Sequence, residues 1–349
     1  MTPRILIADK MDKVAVDIFT ARGITADVKT GLTPSDLAAI IGDYDGVAVR
    51  STTKITADVL ANPGKLRVIG RAGIGVDTVD VPSATRAGIV VMNTPFGNSV
   101  TTAEHTIAMM MSLARQIPMA NASTHMGKWE KSAFMGVELM GKILGVIGCG
   151  NIGAIVASRA LGLQMRVMAY DPYLTDERAV ALGVVRATLN EVYAAADFIT
   201  IHTPMTDQTR GLVNGAAFAK MKKGVRIINC ARGGLVVEAD LKSALDNGTV
   251  AGAALDVFET EPATANILFG LPNVICTPHL GASTTEAQVN VARQIADQMS
   301  DFLIDGAIAN AVNSPSISAE DAPRLAPYVA LVDTIGAMAA QIVDDPYTE

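Results

Sequence analysis

Short apolar runs recur along the first hundred residues, at Ile5–Ala8, Gly46–Val49, Val68–Gly70 and Ile89–Met92. Stretches with helix-like character separate them, and Thr33-Pro34 supplies an N-cap followed by a residue suited to a first helical position. This alternation predicts βαβ units and a small parallel-sheet domain. Asn93-Thr94-Pro95-Phe96-Gly97-Asn98 interrupts the pattern, after which Ser99 to Ala120 reads as one long helix crossing into a second domain. Its methionine run, Met109-Met110-Met111, fits core or subunit contact better than a cofactor box. Strand-like runs resume at Lys142–Ile147, Arg166–Tyr170, Phe198–Ile201, Val225–Asn229, Ala251–Leu255 and Val274–Cys276, enough for a doubly wound sheet. A helix over Thr284–Leu303 should carry the chain back to the first domain. Beyond Asn313-Ser314-Pro315-Ser316, a last helix over Pro323–Val343 has no evident partner in the chain.

Between the run ending at Ile147 and the apolar stretch Ile152–Leu161 stands Gly148-Cys149-Gly150-Asn151-Ile152-Gly153. Strand, glycine turn and helix together form a dinucleotide-binding fingerprint. The first glycine permits a tight turn, the second lets backbone approach a pyrophosphate, and the third lets helix and strand pack closely. The helix N-terminus then faces the phosphates with free N–H groups. Asp171 ends the next strand, 18 residues past Gly153, where an acid meets a ribose 2′-hydroxyl. Pro172 and Tyr173 follow it without an adjacent arginine, so NAD is expected rather than NADP. The fold class is therefore α/β: a doubly wound Rossmann cofactor domain, residues 99–286, inserted into a flavodoxin-like substrate domain of residues 1–98 and 287–313. Residues 314–349 make up a C-terminal segment that contains the last helix.

Composition narrows the partners. The chain has 349 residues, is 50% hydrophobic but only 4% aromatic, and carries a formal charge of −7 with no basic block. An Ala/Val/Ile/Leu core fits, and nucleic acid does not. The first residues reach Asp9 before a signal-peptide core could form, and no apolar run approaches the ~20 residues of a membrane span. A soluble protein with no membrane partner is expected. Cys149, Cys230 and Cys276 are scattered, which fits a reducing cytoplasm, and no histidine or cysteine spacing indicates a metal.

Ligands of open α/β sheets bind beyond the carboxyl ends of the strands. There stand His202-Thr203-Pro204, Cys230-Ala231-Arg232-Gly233-Gly234, Asp256 with Glu261-Pro262, and Pro278-His279-Leu280-Gly281. Interconverting an alcohol and a ketone needs a proton carrier working near neutrality, which suits His279. Glu261 can bond the other ring nitrogen, and Arg232 can present its fork to a carboxylate or the reacting carbonyl. Singly, each could be a loop, turn or surface residue; their common placement favours catalysis. His202 is expected on the buried side, and His105 and His125 at helix surfaces or in packing.

The fingerprint, Asn229-Cys230-Ala231-Arg232-Gly233-Gly234, Ala254-Leu255-Asp256-Val257-Phe258 with Glu261-Pro262, and Thr277-Pro278-His279-Leu280-Gly281-Ala282-Ser283-Thr284 resemble the D-isomer-specific 2-hydroxyacid dehydrogenases, from Ile5 to about Asn313. The resemblance implies Arg232, Glu261 and His279 as catalytic residues. It implies Thr203, Cys230, Asp256 and Gly281 as cofactor contacts beside Gly148, Gly150, Asn151, Ile152, Gly153 and Asp171. Gly70-Arg71-Ala72-Gly73-Ile74-Gly75-Val76-Asp77 and Asn93 to Ser99 most resemble members acting on a phosphorylated 2-hydroxy acid. For these it implies substrate contacts at Arg50, Ser51, Arg71, Gly73, Ile74, Gly75 and Asn98, and a homo-oligomer in which Lys131 reaches a neighbouring subunit's phosphate. The activity implied is NAD-dependent oxidation of 3-phospho-D-glycerate to 3-phosphohydroxypyruvate, the first step of L-serine biosynthesis, with domain closure excluding water. Arginine and a nest of amides suit such an anion. A hydroxypyruvate or glyoxylate reductase, and an NADH-sensing regulator without catalysis, remain open on the same scaffold. Longer members continue into a regulatory domain, and Pro346-Tyr347-Thr348-Glu349 resembles the start of the domain that follows the helix, so a truncated chain is expected.

Overall fold

A computed structural model describes residues 2–318 and 320–342. The chain divides into two compact units: one runs to Gly97 and resumes at Thr285, and the other is Asn98–Thr284. Asn98, expected with the first domain, thus opens the second unit.

The first unit is built on β1 (Arg4–Ile7), β2 (Thr25–Val28), β3 (Gly46–Val49), β4 (Val68–Arg71) and β5 (Val90–Asn93). They form a wholly parallel sheet in the order β2-β1-β3-β4-β5, the flavodoxin-like arrangement. Side chains alternate across it. Ile5, Ile7, Ala48 and Val68 face helices Val14–Ala21 and Thr285–Asp305, where Ile295 and Met299 are wholly buried, whereas Leu6, Ala8, Val47 and Ile69 pack with Leu37, Ile41 and Tyr44. Apolar residues on both faces explain why these strands read as unbroken runs. Edge strand β2 lacks that signature, its four residues being only partly buried or exposed. The capping box at Thr33, which exchanges hydrogen bonds with Asp36, starts the Pro34–Ile40 helix.

After helix Thr285–Asp305 the chain returns to the open edge of this sheet. Ala311 bridges Met92 antiparallel, Ile308 bridges Ile317, and the Asn313 side chain accepts from Val91 N–H and donates to the Ile89 carbonyl. These bonds hold the residues just past Asn313 to the first unit. The last helix, Ala322–Ile342, exposes Tyr328, Val332 and Met338 at 65%, 67% and 64%. Val343 and the expected domain start at Pro346-Tyr347-Thr348-Glu349 lie outside the described residues.

The second unit contains β6 (Ile143–Ile147), β7 (Arg166–Tyr170), β8 (Val185–Arg186), β9 (Phe198–Ile201), β10 (Val225–Asn229), β11 (Val250–Leu255) and β12 (Val274–Cys276). All pair in parallel, in the order β12-β11-β10-β9-β6-β7-β8. The order reverses between β6 and β9, so the fingerprint after β6 lies at the topological switch point. The long helix predicted from Ser99 to Ala120 is two helices, Ser99–Arg115 and Ile117–His125, joined by Gln116 in the left-handed region with φ 52°. Pro118 has no N–H to give the Ala114 carbonyl. That oxygen accepts from Val137 N–H instead, at 2.9 Å. Met109 and Met110 are buried in the core of this unit, whereas Met111 is exposed. No helix among the described residues is long and apolar enough to cross a membrane.

Asp197 ties three neighbouring strands at their starts, accepting from Ile143 N–H at 2.8 Å and from Lys222 Nζ at 2.6 Å. Burial pushes its carboxyl up, but these donors outweigh burial and hold it below its ordinary value. Its stabilising contribution is therefore complete above the unfolded pKa of about 3.9 and is lost as pH falls through the lower folded value. Asp197→Asn should cost about 1 kcal/mol at pH 7, since Lys222 is partly exposed and solvent screens the pair. In urea titrations the difference from wild type should shrink between about pH 5 and pH 3; a constant difference would exclude this role for the carboxylate.

Candidate active site

The three fingerprint glycines meet three different demands. Gly148 leaves β6 with φ 90°, and a Cβ there would stand 2.6 Å from the His202 carbonyl oxygen. At Gly153 a Cβ would overlap the Gly148 carbonyl oxygen, so the third glycine is fixed by helix–turn packing. Gly150 is different, because nothing lies within 4 Å of the place a Cβ would take. It is the N-cap of helix Asn151–Gly162 and offers no side-chain cap. A helix start without a side-chain cap and with open space before it has the features that suit an anion. Asn151 and Ile152 form the first turn behind it. Beside the turn, Asp171 accepts from Cys149 N–H and from Tyr173 N–H, each at 2.8 Å, which fixes the carboxylate at the end of β7.

Beyond β9, Thr203 Oγ1 and His202 Nδ1 are buried without a hydrogen-bond partner among the described residues. His202 Nε2 lies 2.9 Å from Thr200 Oγ1, and burial pushes the ring down to about 3, so it is a neutral polar group. Open space at Gly150, a fixed carboxylate at Asp171 and unsatisfied polar atoms after β9 together fit an anionic, hydroxyl-bearing ligand such as a dinucleotide.

The expected catalytic residues stand at the neighbouring strand ends. His279 Nδ1 lies 2.7 Å from Glu261 Oε2, and the side chains are 49% and 34% exposed. Burial raises the Glu261 carboxyl, but the bonds from His279 and from Phe258 N–H, at 3.0 Å, bring it below its ordinary value. His279 occupies the left-handed region at φ 56°. That conformation costs a non-glycine residue about 1–2 kcal/mol, and its N–H is held by the Asp256 and Thr277 carbonyls at 2.9 and 3.0 Å. Arg232 bends back so that Nη1 donates to the Ala231 carbonyl at 2.6 Å, while Asn229 Nδ2 donates to the Arg232 carbonyl. The next residue, Gly233, packs so closely on the Phe258–Glu259 backbone that a Cβ would overlap the Phe258 carbonyl. The arginine loop thus braces the segment that carries Glu261.

Asp256 and Cys230, expected as cofactor contacts, face inward. The Asp256 side chain is fully buried and accepts from Thr277 Oγ1 at 2.6 Å, Leu280 N–H at 2.7 Å and Gly281 N–H at 2.8 Å. Burial raises its carboxyl, yet these donors and His105 bring it below the usual range. The Cys230 thiol is pushed up to about 12, by burial first and then by Asp256.

The expected substrate residues lie mostly in the first unit, at the ends of β3 and β4. Asp9, buried after β1, accepts from Arg50 N–H at 2.6 Å, from Thr53 N–H at 3.1 Å and from Thr53 Oγ1 at 2.7 Å. Arg50 Nε is buried without a partner among the described residues, and burial lowers the pKa of its guanidinium. Ser51 is exposed beside it. At the end of β4, Arg71 Nη1 occupies the space a Cβ on Gly73 would take, and Gly73 has φ 148°. Asn93 Nδ2 donates to the Ile74 carbonyl and Thr94 N–H to the Gly73 carbonyl, fastening the Gly73-Ile74-Gly75 turn to β5. In the second unit, Asn98 Oδ1 is buried without a partner among the described residues. No group of three His, Cys, Asp or Glu side chains among the described residues is arranged to hold a metal ion.

One residue departs from expectation. His105, read as surface or packing, lies with Nε2 3.3 Å from both Asp256 Oδ1 and Thr277 Oγ1. The signal was faint: Thr102 and Thr106 put buried hydroxyls on the same side of the helix as His105.

Residues 107–281 match the family model "D-isomer specific 2-hydroxyacid dehydrogenase, NAD binding domain". The chain belongs to this family. The Asn98–Thr284 unit is its NAD-binding domain. The chain is 45% identical over 339 residues to a D-3-phosphoglycerate dehydrogenase of Synechocystis, which covers 97% of this chain and 61% of that protein. It therefore spans less than two thirds of that relative's length. Among solved structures, a protein of Thermus thermophilus matches at 31% identity and TM-score 0.81, over 88% of this chain and 99% of its own. A D-lactate dehydrogenase of Aquifex aeolicus, complexed with NAD and lactic acid, matches at 26% identity and TM-score 0.77, over 90% of this chain and 100% of its own.

Substitution of two fingerprint glycines should separate ligand binding from folding. Gly150→Ala should leave the thermal midpoint of the ligand-free protein unchanged and weaken NADH at least about 10-fold, because the methyl fills the space left for phosphate. Gly153→Ala should lower that midpoint by about 5 °C or more without any ligand, since helix and turn must part. Equal effects of the two on stability would refute the distinction.

Proposed function

We propose that the chain oxidises 3-phospho-D-glycerate to 3-phosphohydroxypyruvate with NAD, the first step of L-serine biosynthesis. The observation that carries this reading is the His279 Nδ1–Glu261 Oε2 pair, 2.7 Å apart, at the strand ends of a unit that also holds the dinucleotide fingerprint. The name of the Synechocystis relative supports the substrate, and the guanidiniums of Arg50 and Arg71 supply the charge that a phosphate and a carboxylate require.

NAD, when bound, supplies the acceptor for the hydride that leaves C2 of the hydroxy acid. Gly148, Gly150, Asn151, Ile152 and Gly153 form its phosphate cradle, Asp171 receives the ribose hydroxyls and disfavours a 2′-phosphate, and Thr203 offers its hydroxyl. Cys230, Asp256 and Gly281 shape the wall behind. His279 Nε2 takes the substrate's hydroxyl proton while Nδ1 stays bonded to Glu261, whose carboxylate stabilises the charge gained by the ring. The C–H electron pair departs as hydride, the O–H bond breaks toward imidazole, and C2 becomes a ketone. Arg232 steers the carboxylate and polarises the new carbonyl. Arg50, Ser51, Arg71, the amides of Gly73, Ile74 and Gly75, and Asn98 bind the substrate's anionic groups.

The active form is proposed to be a homo-oligomer. Met126, Trp129, Met135 and Met140 are 67%, 79%, 76% and 69% exposed within one short stretch, an apolar face suited to a second copy of the chain. Lys131 lies in the same stretch, its Nζ 5.9 Å from the Trp129 ring, where it could reach a phosphate held by the second copy.

Steady-state kinetics with 3-phosphoglycerate, glycerate and lactate side by side test the substrate. The phosphorylated acid should have the highest kcat/KM, and no preference for it would refute the substrate while leaving the family intact. His279→Ala should lower kcat by about 10²–10⁴ while sparing NADH affinity; near-normal turnover would remove His279 from the mechanism. Sedimentation of the wild type should show a dimer or larger species that Trp129→Glu shifts toward monomer, and a monomeric wild type at micromolar concentration would overturn the assembly.

A further inference from the structure

We propose that His105 is a positioning residue for the proton-carrying histidine, acting on His279 through the carboxylate of Asp256. The inference rests on the reading of His279 as the acid–base group.

The residues around His279 hang on Asp256. Its Oδ1 accepts from Thr277 Oγ1 and Leu280 N–H, its Oδ2 from Gly281 N–H, and its main-chain carbonyl from His279 N–H. One buried residue therefore holds the arc from Thr277 to Gly281 and keeps His279 in a left-handed conformation it would otherwise leave. Left alone, a buried carboxylate is an unstable anchor, because desolvation favours its neutral form. A protonated carboxyl would have to give up acceptor positions that the arc depends on.

His105 supplies what the anchor lacks. Its Nε2 lies 3.3 Å from Asp256 Oδ1 and 3.3 Å from Thr277 Oγ1, and the Thr277 hydroxyl already donates to Asp256, leaving its lone pairs free to accept. The helix bearing His105 makes further contacts on the same side. Thr102 Oγ1 donates to the Gly281 carbonyl at 2.9 Å, and Met109 Sδ is 3.9 Å from Thr277 Oγ1. Thr102, His105 and Met109 thus stand at helical spacing along one flank of the arc. Asp256 also repels Glu261, raising that carboxyl, an effect offset by the bonds Glu261 receives from His279 and Phe258 N–H. His105 touches neither reacting atom and works through geometry alone.

Two variants of the full chain test this. His105→Gln keeps an N–H donor in reach, whereas His105→Leu removes it. The chain has four histidines, so its imidazole signals can be assigned by nuclear magnetic resonance of histidine-labelled protein without ligand. His105→Leu should displace the His279 ring signals, His105→Gln should leave them near their wild-type positions, and His125→Leu should not move them. In turnover, His105→Leu should lower kcat by about 10–100-fold with NADH affinity within about threefold, and His105→Gln should restore most of it. Unmoved His279 signals in His105→Leu overturn the proposal. So does an equal loss of kcat in the Leu and Gln variants that tracks their thermal midpoints. If His105→Leu does not fold, Thr277→Val, which removes the bridging hydroxyl, is read by the same two measurements. Displaced signals in a protein that oxidises no 2-hydroxy acid would uphold the positioning role and refute the dehydrogenase reading instead.

Discussion

Parallel pairing is the constraint from which the rest of the second unit follows. Every strand from β6 to β12 runs in one direction, so every carboxyl end opens on the same edge of the sheet. Gly148, Asp171, Thr203, Arg232, Asp256 and His279 are far apart in the chain, yet each follows a strand and so reaches that edge. The same constraint demands apolar side chains on both sheet faces. Ile147 and Ile201 therefore pack on one side while Leu144 and Val146 pack on the other. In the first unit it brings Asp9, Arg50, Arg71 and Asn93 to the ends of their strands.

On this frame His279, Glu261 and Arg232 are held by backbone rather than by close packing of their own side chains. His279 is half-exposed, but its main chain is fixed by the Asp256 and Thr277 carbonyls, and its ring by Glu261. Glu261 in turn accepts from Phe258 N–H, and Phe258 is pressed against Gly233, the neighbour of Arg232. Arginine and glutamate are thus linked through main-chain contacts, and glutamate and histidine through their side chains. Such an arrangement leaves the imidazole and carboxylate partly exposed while their positions are fixed.

The strands buried on both faces were legible because each advertises itself as a short apolar run. The edge strands β2 and β8 were not, since Thr25–Val28 and Val185–Arg186 are largely exposed and their composition carries no such signal. The fingerprint and Asp171 could be read because turn, helix and acid lie within one βαβ unit, where spacing in sequence nearly is spacing in space. Pro118 was visible too, but its consequence depended on Val137 reaching the Ala114 carbonyl, a bond no local pattern encodes. His105 is the sharpest case. On its own helix it reads as a surface or packing residue, and only the distant segment at 256–281 shows what it touches.

The sequence by itself determined the parallel α/β architecture, the insertion of the cofactor unit within the other, the family, and the residue types available at each strand end. The architecture rests on periodicity, glycine requirements and short-range spacing, which one-dimensional order preserves, and the family rests on the resemblance of the motifs at the strand ends. Only the tertiary structure decided what those residues do to one another: that Asp256 turns inward to hold a loop, that Gly150 alone of the fingerprint glycines faces open space, and that His279 sits in a left-handed turn. Hydrogen-bond direction and burial depend on which distant segments meet, and that is settled when the strands assemble into a sheet and the helices cover it.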